Sequence, residues 1–215
     1  MDVPSQADLD RVPDGGTAAR PAPVDSAEAE LLARAREGNL FAFEEIVKRY
    51  QRRVYATAMR IVRRHDVADD VVQEAFLRAH QALARFDLTR PFGPWICRIA
   101  ANLAVNHVRS PIAREQGLPE TYAEAPAPSP GALAGVLDGE ASRELAHALE
   151  SLSAEQRAVF SLRVFEELSY KEIADALEIS IGTVMSRLSR ARERLRVALT
   201  PYLGAALARR AEGHR

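Results

Sequence analysis

The stretch Ser169-Tyr-Lys-Glu-Ile-Ala-Asp-Ala-Leu-Glu-Ile-Ser-Ile-Gly-Thr-Val184 decides the fold. Ser169 followed three residues later by Glu172 has the form of a capping box, in which a hydroxyl and a carboxylate satisfy N–H groups that the first turn of a helix leaves orphaned. A short helix therefore starts at Ser169, a four-residue break follows, and a second helix opens behind Ser180, the layout of a helix-turn-helix. At about 100° per residue, Val184, Leu188, Ala191 and Leu195 share a sector about 60° wide, and Thr183, Ser186, Arg187, Arg190 and Arg194 share another about 100° wide. The first sector reads as core and the second as a basic rail. One helix fits a major groove, where arginine bonds guanine edges or neutralises phosphates, so the rail suits duplex DNA. A solvated, arginine-rich helix of a small bundle is the plainer alternative. The turn layout, with Glu193 the only acid between Thr183 and Arg196, favours the groove.

Outward from this stretch the same helical signals recur. Asp25 with Glu28, and Ser153 with Gln156, repeat the capping pattern, and further helices are expected over Asn39 to Arg64, Asp66 to Phe86, Pro94 to Arg109 and Arg143 to Leu152. No period-two run of β-branched residues stands between turns, so the fold class is all-α. Proline and glycine divide the chain into an acidic arm at 1–27, a helical domain at 28–110, a linker at 111–142, a second helical domain at 143–203 and a tail at 204–215. The net charges of 1–27, 28–110, 111–142 and 143–215 are −3, +4, −4 and +2, so the two segments able to fold are basic and the arm and linker acidic. Cys97 is the only cysteine, which excludes an internal disulfide and a cysteine zinc cage. Neither a membrane-spanning run nor a basic-then-apolar leader is present, and Asp2, Asp8, Asp10 and Asp14 open the chain, so a cytoplasmic protein is expected. His65, His80, His107, His147 and His214 form no metal-ligand pattern, and no nucleophilic triad or P-loop stands out. The expectation is no catalytic residue, metal, cofactor or small-molecule substrate.

Two further helix faces carry functional readings. Trp95, Arg98, Asn102, Asn106 and Arg109 lie within about 80° of one another, beside an apolar stripe of Ile96, Ile99, Ala100 and Leu103. An aromatic, two amides and two guanidinium groups fit unpaired DNA, since an aromatic stacks on a base while arginines track phosphates. Trp95 fits a core tryptophan equally well. On the helix from Asp66, Val71, Val72, Ala75, Phe76, Ala79, Leu83 and Phe86 point inward, and the opposite face carries Asp66, Asp70, Gln73, Glu74 and Leu77. Early acids favour the helix dipole, whereas an outward leucine beside Gln73 and Glu74 fits a protein-docking surface.

Asp69-Asp-Val-Val-Gln-Glu-Ala-Phe-Leu-Arg-Ala, Pro94-Trp-Ile-Cys-Arg-Ile-Ala-Ala-Asn-Leu-Ala and Leu168-Ser-Tyr-Lys-Glu-Ile-Ala with Gly182-Thr-Val-Met-Ser-Arg-Leu-Ser-Arg-Ala-Arg together resemble the extracytoplasmic-function group of bacterial RNA polymerase sigma factors. The resemblance covers about 28–110 and 143–200, with the motifs in the family's order. It implies that the first domain, region 2, docks on the clamp helices of the polymerase largest subunit through Asp70, Gln73, Glu74 and Leu77. The same domain opens the −10 element with the loop Asp87–Phe92, including Arg90 and Phe92, and the face bearing Trp95, Arg98, Asn102, Asn106 and Arg109. The second domain, region 4, reads the −35 element through Thr183, Ser186, Arg187, Arg190 and Arg194 and touches the polymerase flap. An anti-sigma factor is an implied partner. Two departures stand out: Met185 lies where many members carry arginine, and Gly93-Pro94 replaces a polar or basic pair.

A flexible linker of 32 residues rests at about 30 Å end to end and reaches roughly 110 Å, while sites two helical turns apart on DNA are about 70 Å distant. The chain spans that distance without resting there, so polymerase must hold both domains apart. The rival function is a homodimeric helix-turn-helix regulator that binds duplex DNA without polymerase.

Overall fold

The computed structural model describes residues 25–110 and 139–212. The expected arm at 1–24, most of the linker at 111–138 and the tail end at 213–215 lie outside them. Eight α-helices are described: α1 Ser26–Arg36, α2 Leu40–Val62, α3 His65–Ala82, α4 Phe92–Arg109, α5 Gly139–Glu150, α6 Ala154–Val164, α7 Tyr170–Leu177 and α8 Ile181–Glu212, with a 3-10 turn at Leu83–Arg85. Three of the expected boundaries fall inside helices. α1 takes in Ser26 and Ala27, α5 begins four residues inside the expected linker, and α8 continues through Pro201 into the expected tail. Proline removes one backbone bond to Val197, an exposed residue, so α8 loses little by carrying it. Among the described residues, no helix is long and apolar enough to cross a membrane.

Local chemistry accounts for most helix starts. The capping boxes at Ser153/Gln156 and Ser169/Glu172 are both formed, and Ser180 Oγ accepts from the Thr183 N–H at 3.1 Å. The third expected box is not formed. Asp25 accepts from the Ala27 N–H, but Glu28 turns away to accept from the Tyr50 hydroxyl at 2.7 Å and the Phe92 N–H at 3.3 Å, tying α1 to α2 and to the start of α4. Chain reversal between α7 and α8 places Glu178 at φ 54° and ψ 46°, in the left-handed region where a side chain costs energy.

Helices α1–α4 form one unit, with α2, α3 and α4 packed on one another, and α5–α8 form another. The units do not stand apart: α6 packs on α2 and α4, and α7 packs on α4. One apolar core runs through both, joining Val54, Ala58, Ile96 and Ala100 of the first unit to Ala158, Val159, Leu162 and Ile173 of the second. A smaller cluster of Ala148, Leu149, Leu152, Ala191 and Leu195 fastens α5 to α8.

Candidate nucleic-acid interface

The junction between the units is built from charge of fixed sense. Arg53 pairs with Glu166, Arg63 with Glu150, Arg98 with Glu172 and Arg109 with Glu155. In all four the cation comes from the first unit and the carboxylate from the second. Arg53 donates to Glu166 Oε2 at 2.7 and 2.8 Å, and Thr57 Oγ donates to Glu166 Oε1 at 3.4 Å. The Glu166 side chain is only 2% exposed. Arg60 lies 3.9 Å above the Phe165 ring, a cation–π contact across the same seam. Gly93 is closely covered: a Cβ on it would meet the Arg53 Nη1 at 2.5 Å and the Tyr50 ring at 3.0 Å, so a larger residue would press on the guanidinium that holds Glu166.

One cation runs the other way. Arg157 of α6 is wholly buried, donating to the Ile61 carbonyl through Nη2 at 2.8 Å and Nε at 3.3 Å, and to the Leu152 carbonyl at 2.6 Å. Burial, and then the nearby Arg63, lower its pKa to about 10, so it remains cationic at neutral pH. It faces the C-terminal carbonyls of α2, where the helix dipole favours positive charge. Its sequence gives no sign of this role.

The expected −10 face lies at the seam. Phe92, expected to meet the −10 strand, is fully buried here, with ring centroids 5.2 Å from Tyr50 and 5.6 Å from Phe86. Trp95 is half-buried at the edge of that cluster, 4.6 Å from Phe86, so it combines the packing reading with a partly open face. Arg98 is 20% exposed in its side chain and held by Glu172 at 3.4 Å. Burial lowers the Arg98 pKa against the opposing pull of Glu172. Asn102 is half-buried, and exposed Asn106 donates to it at 2.8 Å. Arg109 is held by Glu155 at 3.2 Å, and Arg90 is exposed beside Asp87. The carboxylates of α6 and α7 thus meet cations of the face expected to meet a strand.

The expected rail on α8 is only partly a rail. Val184, Leu188, Ala191 and Leu195 are buried as the wheel requires, and the outward side centres on Ser186, with exposed Met185, Ser189 and Arg190 around it. Thr183 is half-buried within the Ser180 cap, its Oγ 2.8 Å from Ser180 Oγ. Arg194 is exposed and also donates to the Ser151 carbonyl and to Gln156 Oε1, each at 3.1 Å, clasping α8 to the start of α6. Arg187 is half-buried on the same flank, its pKa lowered by burial and raised in turn by Glu155. The sector chosen for its cations leaves exposed Met185 and Ser189 outside it.

On α3, Asp70, Gln73 and Leu77 are exposed, Leu77 at 54%, and Glu74 accepts from Arg78 at 2.7 Å. Their face is turned away from Val71, Ala75, Phe76 and Ala79, which are buried.

Comparison with known proteins bears on both units. The profile for Sigma-70 region 2 matches residues 46–111, and that for Sigma-70 region 4 matches residues 142–195. The RNA polymerase sigma-H factor of Pseudomonas aeruginosa is 33% identical over 82% of this chain and 95% of its own. The ECF RNA polymerase sigma factor SigW of Bacillus subtilis is 32% identical over 78% of this chain and 94% of its own. Among solved structures, the sigma factor RpoE of Bartonella quintana, in complex with the anti-sigma factor NepR, is 29% identical. It aligns over 74% of this chain and 96% of its own with a TM-score of 0.57.

Proposed function

The chain belongs to the extracytoplasmic-function group of RNA polymerase sigma factors, and we propose that it binds core polymerase as one copy and directs promoter recognition, −10 opening and initiation. The observation that carries this reading is the order of the two matched regions on two helical units, each bearing a charged face of its own. In this reading the outward side of α3, with Asp70, Gln73, Glu74 and Leu77, meets the clamp helices of the largest subunit. The α4 face with Trp95, Arg98, Asn102, Asn106 and Arg109, and the Arg90 loop, meets the −10 strand. The outward side of α8 meets the −35 duplex, with region 4 also touching the flap.

No covalent chemistry is required of the chain. Captured bases and polymerase contacts together offset the few kcal/mol that unstacking costs, so melting proceeds without nucleotide hydrolysis. The closed junction gives the process an order. Glu172 and Glu155 hold Arg98 and Arg109, so the units separate before a strand reaches α4. An anti-sigma factor that bridges both units holds the closed form, and polymerase, which engages them apart, favours the open one. The chain works in the cytoplasm, where polymerase is.

Run-off transcription with purified core polymerase tests the proposal. Core plus this chain is expected to give a promoter-dependent transcript and to co-elute at one copy each, with weak promoter footprinting by the free chain at physiological salt. A chain that dimerises, footprints as strongly alone and yields no transcript is the homodimeric regulator instead.

A further inference from the structure

Resting on the reading of α8 as the helix that enters a duplex major groove, we propose that Met185, supported by Ile181 one turn before it, reads the 5-methyl group of a thymine in the upstream promoter element. Ile181 is 47% exposed and Met185 45%. Single exposed apolar side chains are ordinary on any surface. These two are four residues apart, which puts them on one strip of the helix, and they sit at its N-terminal end, the end that reaches base edges when a recognition helix docks.

The chemistry around them narrows the partner. Ser186 and Ser189 beside them are short, and Arg187 is half-buried on the flank toward Glu155. Met185 therefore stands as an apolar side chain at the edge of the outward side, with Ile181 behind it toward the core, and Arg190 supplies attraction to the backbone further along. Among the base-edge groups that the major groove presents, the thymine methyl is the apolar one. A thioether on an unbranched stem adapts to such a contact better than a stiff side chain. Burial of one methyl is worth about fourfold in affinity.

The test uses holoenzyme reconstituted from the full chain and core polymerase. Holoenzyme first selects from a duplex library randomised over the upstream element, and each thymine of the selected duplex is then replaced singly by uracil, which removes only the methyl. At one thymine the exchange is expected to weaken wild-type binding about fourfold. Met185→Ala should bind the thymine duplex as weakly and be indifferent to the exchange, with its salt slope unchanged. Met185→Leu should restore sensitivity, which separates lost contact from damaged fold. Exchange that is silent at every thymine, or that costs Met185→Ala as much as wild type, overturns the assignment and leaves the −35 reading intact. Selection of no upstream sequence at all overturns both.

Discussion

Replacing Arg53 by Met should open the protein. Arg53 lies on the first unit, its side chain 42% exposed, and its contact across the seam is the Glu166 carboxylate, 2% exposed. Removing it leaves that carboxylate buried with the Thr57 hydroxyl at 3.4 Å and the Cys97 thiol beside it, and with only the more distant charge of Arg60 acting on it. Stripping one partner from a buried ion pair costs 3–5 kcal/mol, and the water that already reaches Arg53 reduces this to about 2–3 kcal/mol. Glu166 escapes that cost by returning to solvent when the units part, so the closed-to-open ratio should fall roughly 30- to 150-fold at about 1.4 kcal/mol per tenfold. Small-angle scattering should report a larger radius of gyration. A short single-stranded deoxyoligonucleotide should bind more tightly, because the affinity of a masked site rises with the fraction unmasked. Loss of a cation works against DNA binding, so tighter binding cannot come from charge. Glu166→Gln added to Arg53→Met should restore closure in part, since an amide is cheaper to bury than a carboxylate. An unchanged radius together with unchanged or weaker oligonucleotide binding, at full helicity, would refute the reasoning.

Two arginines of α8 should part company. Arg190→Ala should weaken holoenzyme binding to the upstream duplex and reduce the salt slope by about one unit, whereas Arg194→Ala, which breaks the clasp to Ser151 and Gln156, should lower the melting temperature and leave the slope alone. Glu178→Gly removes a side chain from a left-handed residue, so thermal unfolding should rise by a few degrees, equivalent to about 1 kcal/mol. Burial pushes the Glu172 carboxyl up, but hydrogen bonds from Ser169 and the charge of Arg98 hold it below its ordinary 4.5; Glu155 is depressed likewise, against burial, by backbone hydrogen bonding and Arg109. Depressed carboxyls contribute above their unfolded value and lose that contribution as pH falls through the folded one. Scattering should therefore show the closed form loosening below about pH 4.5, and less so in Glu155→Gln/Glu172→Gln.

The fold was legible wherever one helix carries its own instructions. Ser153 with Gln156 and Ser169 with Glu172 announce helix starts because the partners are three residues apart, and Val184, Leu188, Ala191 and Leu195 announce a buried stripe because they share a face. Glu28 misled because its spacing fits a local cap while its carboxylate is taken by Tyr50 and Phe92, distant in sequence. The seam was illegible for the same reason on a larger scale. Arg98 read as a DNA contact and Glu172 as a cap partner, while Arg53 and Glu166 drew no reading, since pairing across a gap of 74 residues or more leaves no periodic trace. The clasp made by Arg194 was illegible because a guanidinium that grips carbonyl and amide oxygens lies in the same helical sector as one free to grip phosphate. Phe92 was placed by likeness to a loop that meets DNA, whereas here its ring completes the cluster with Tyr50, Phe86 and Trp95.

The uninterrupted core has a consequence for the lifetime of the working form. Val159 and Ile173 on one side and Ile96 and Ala100 on the other belong to a single apolar cluster, so parting the units bares greasy surface on both. A copy that opens with no enzyme to receive it looks to chaperones and proteases like a half-denatured chain. In the proposed cycle the open form therefore lasts only while polymerase covers the surface that opening bares.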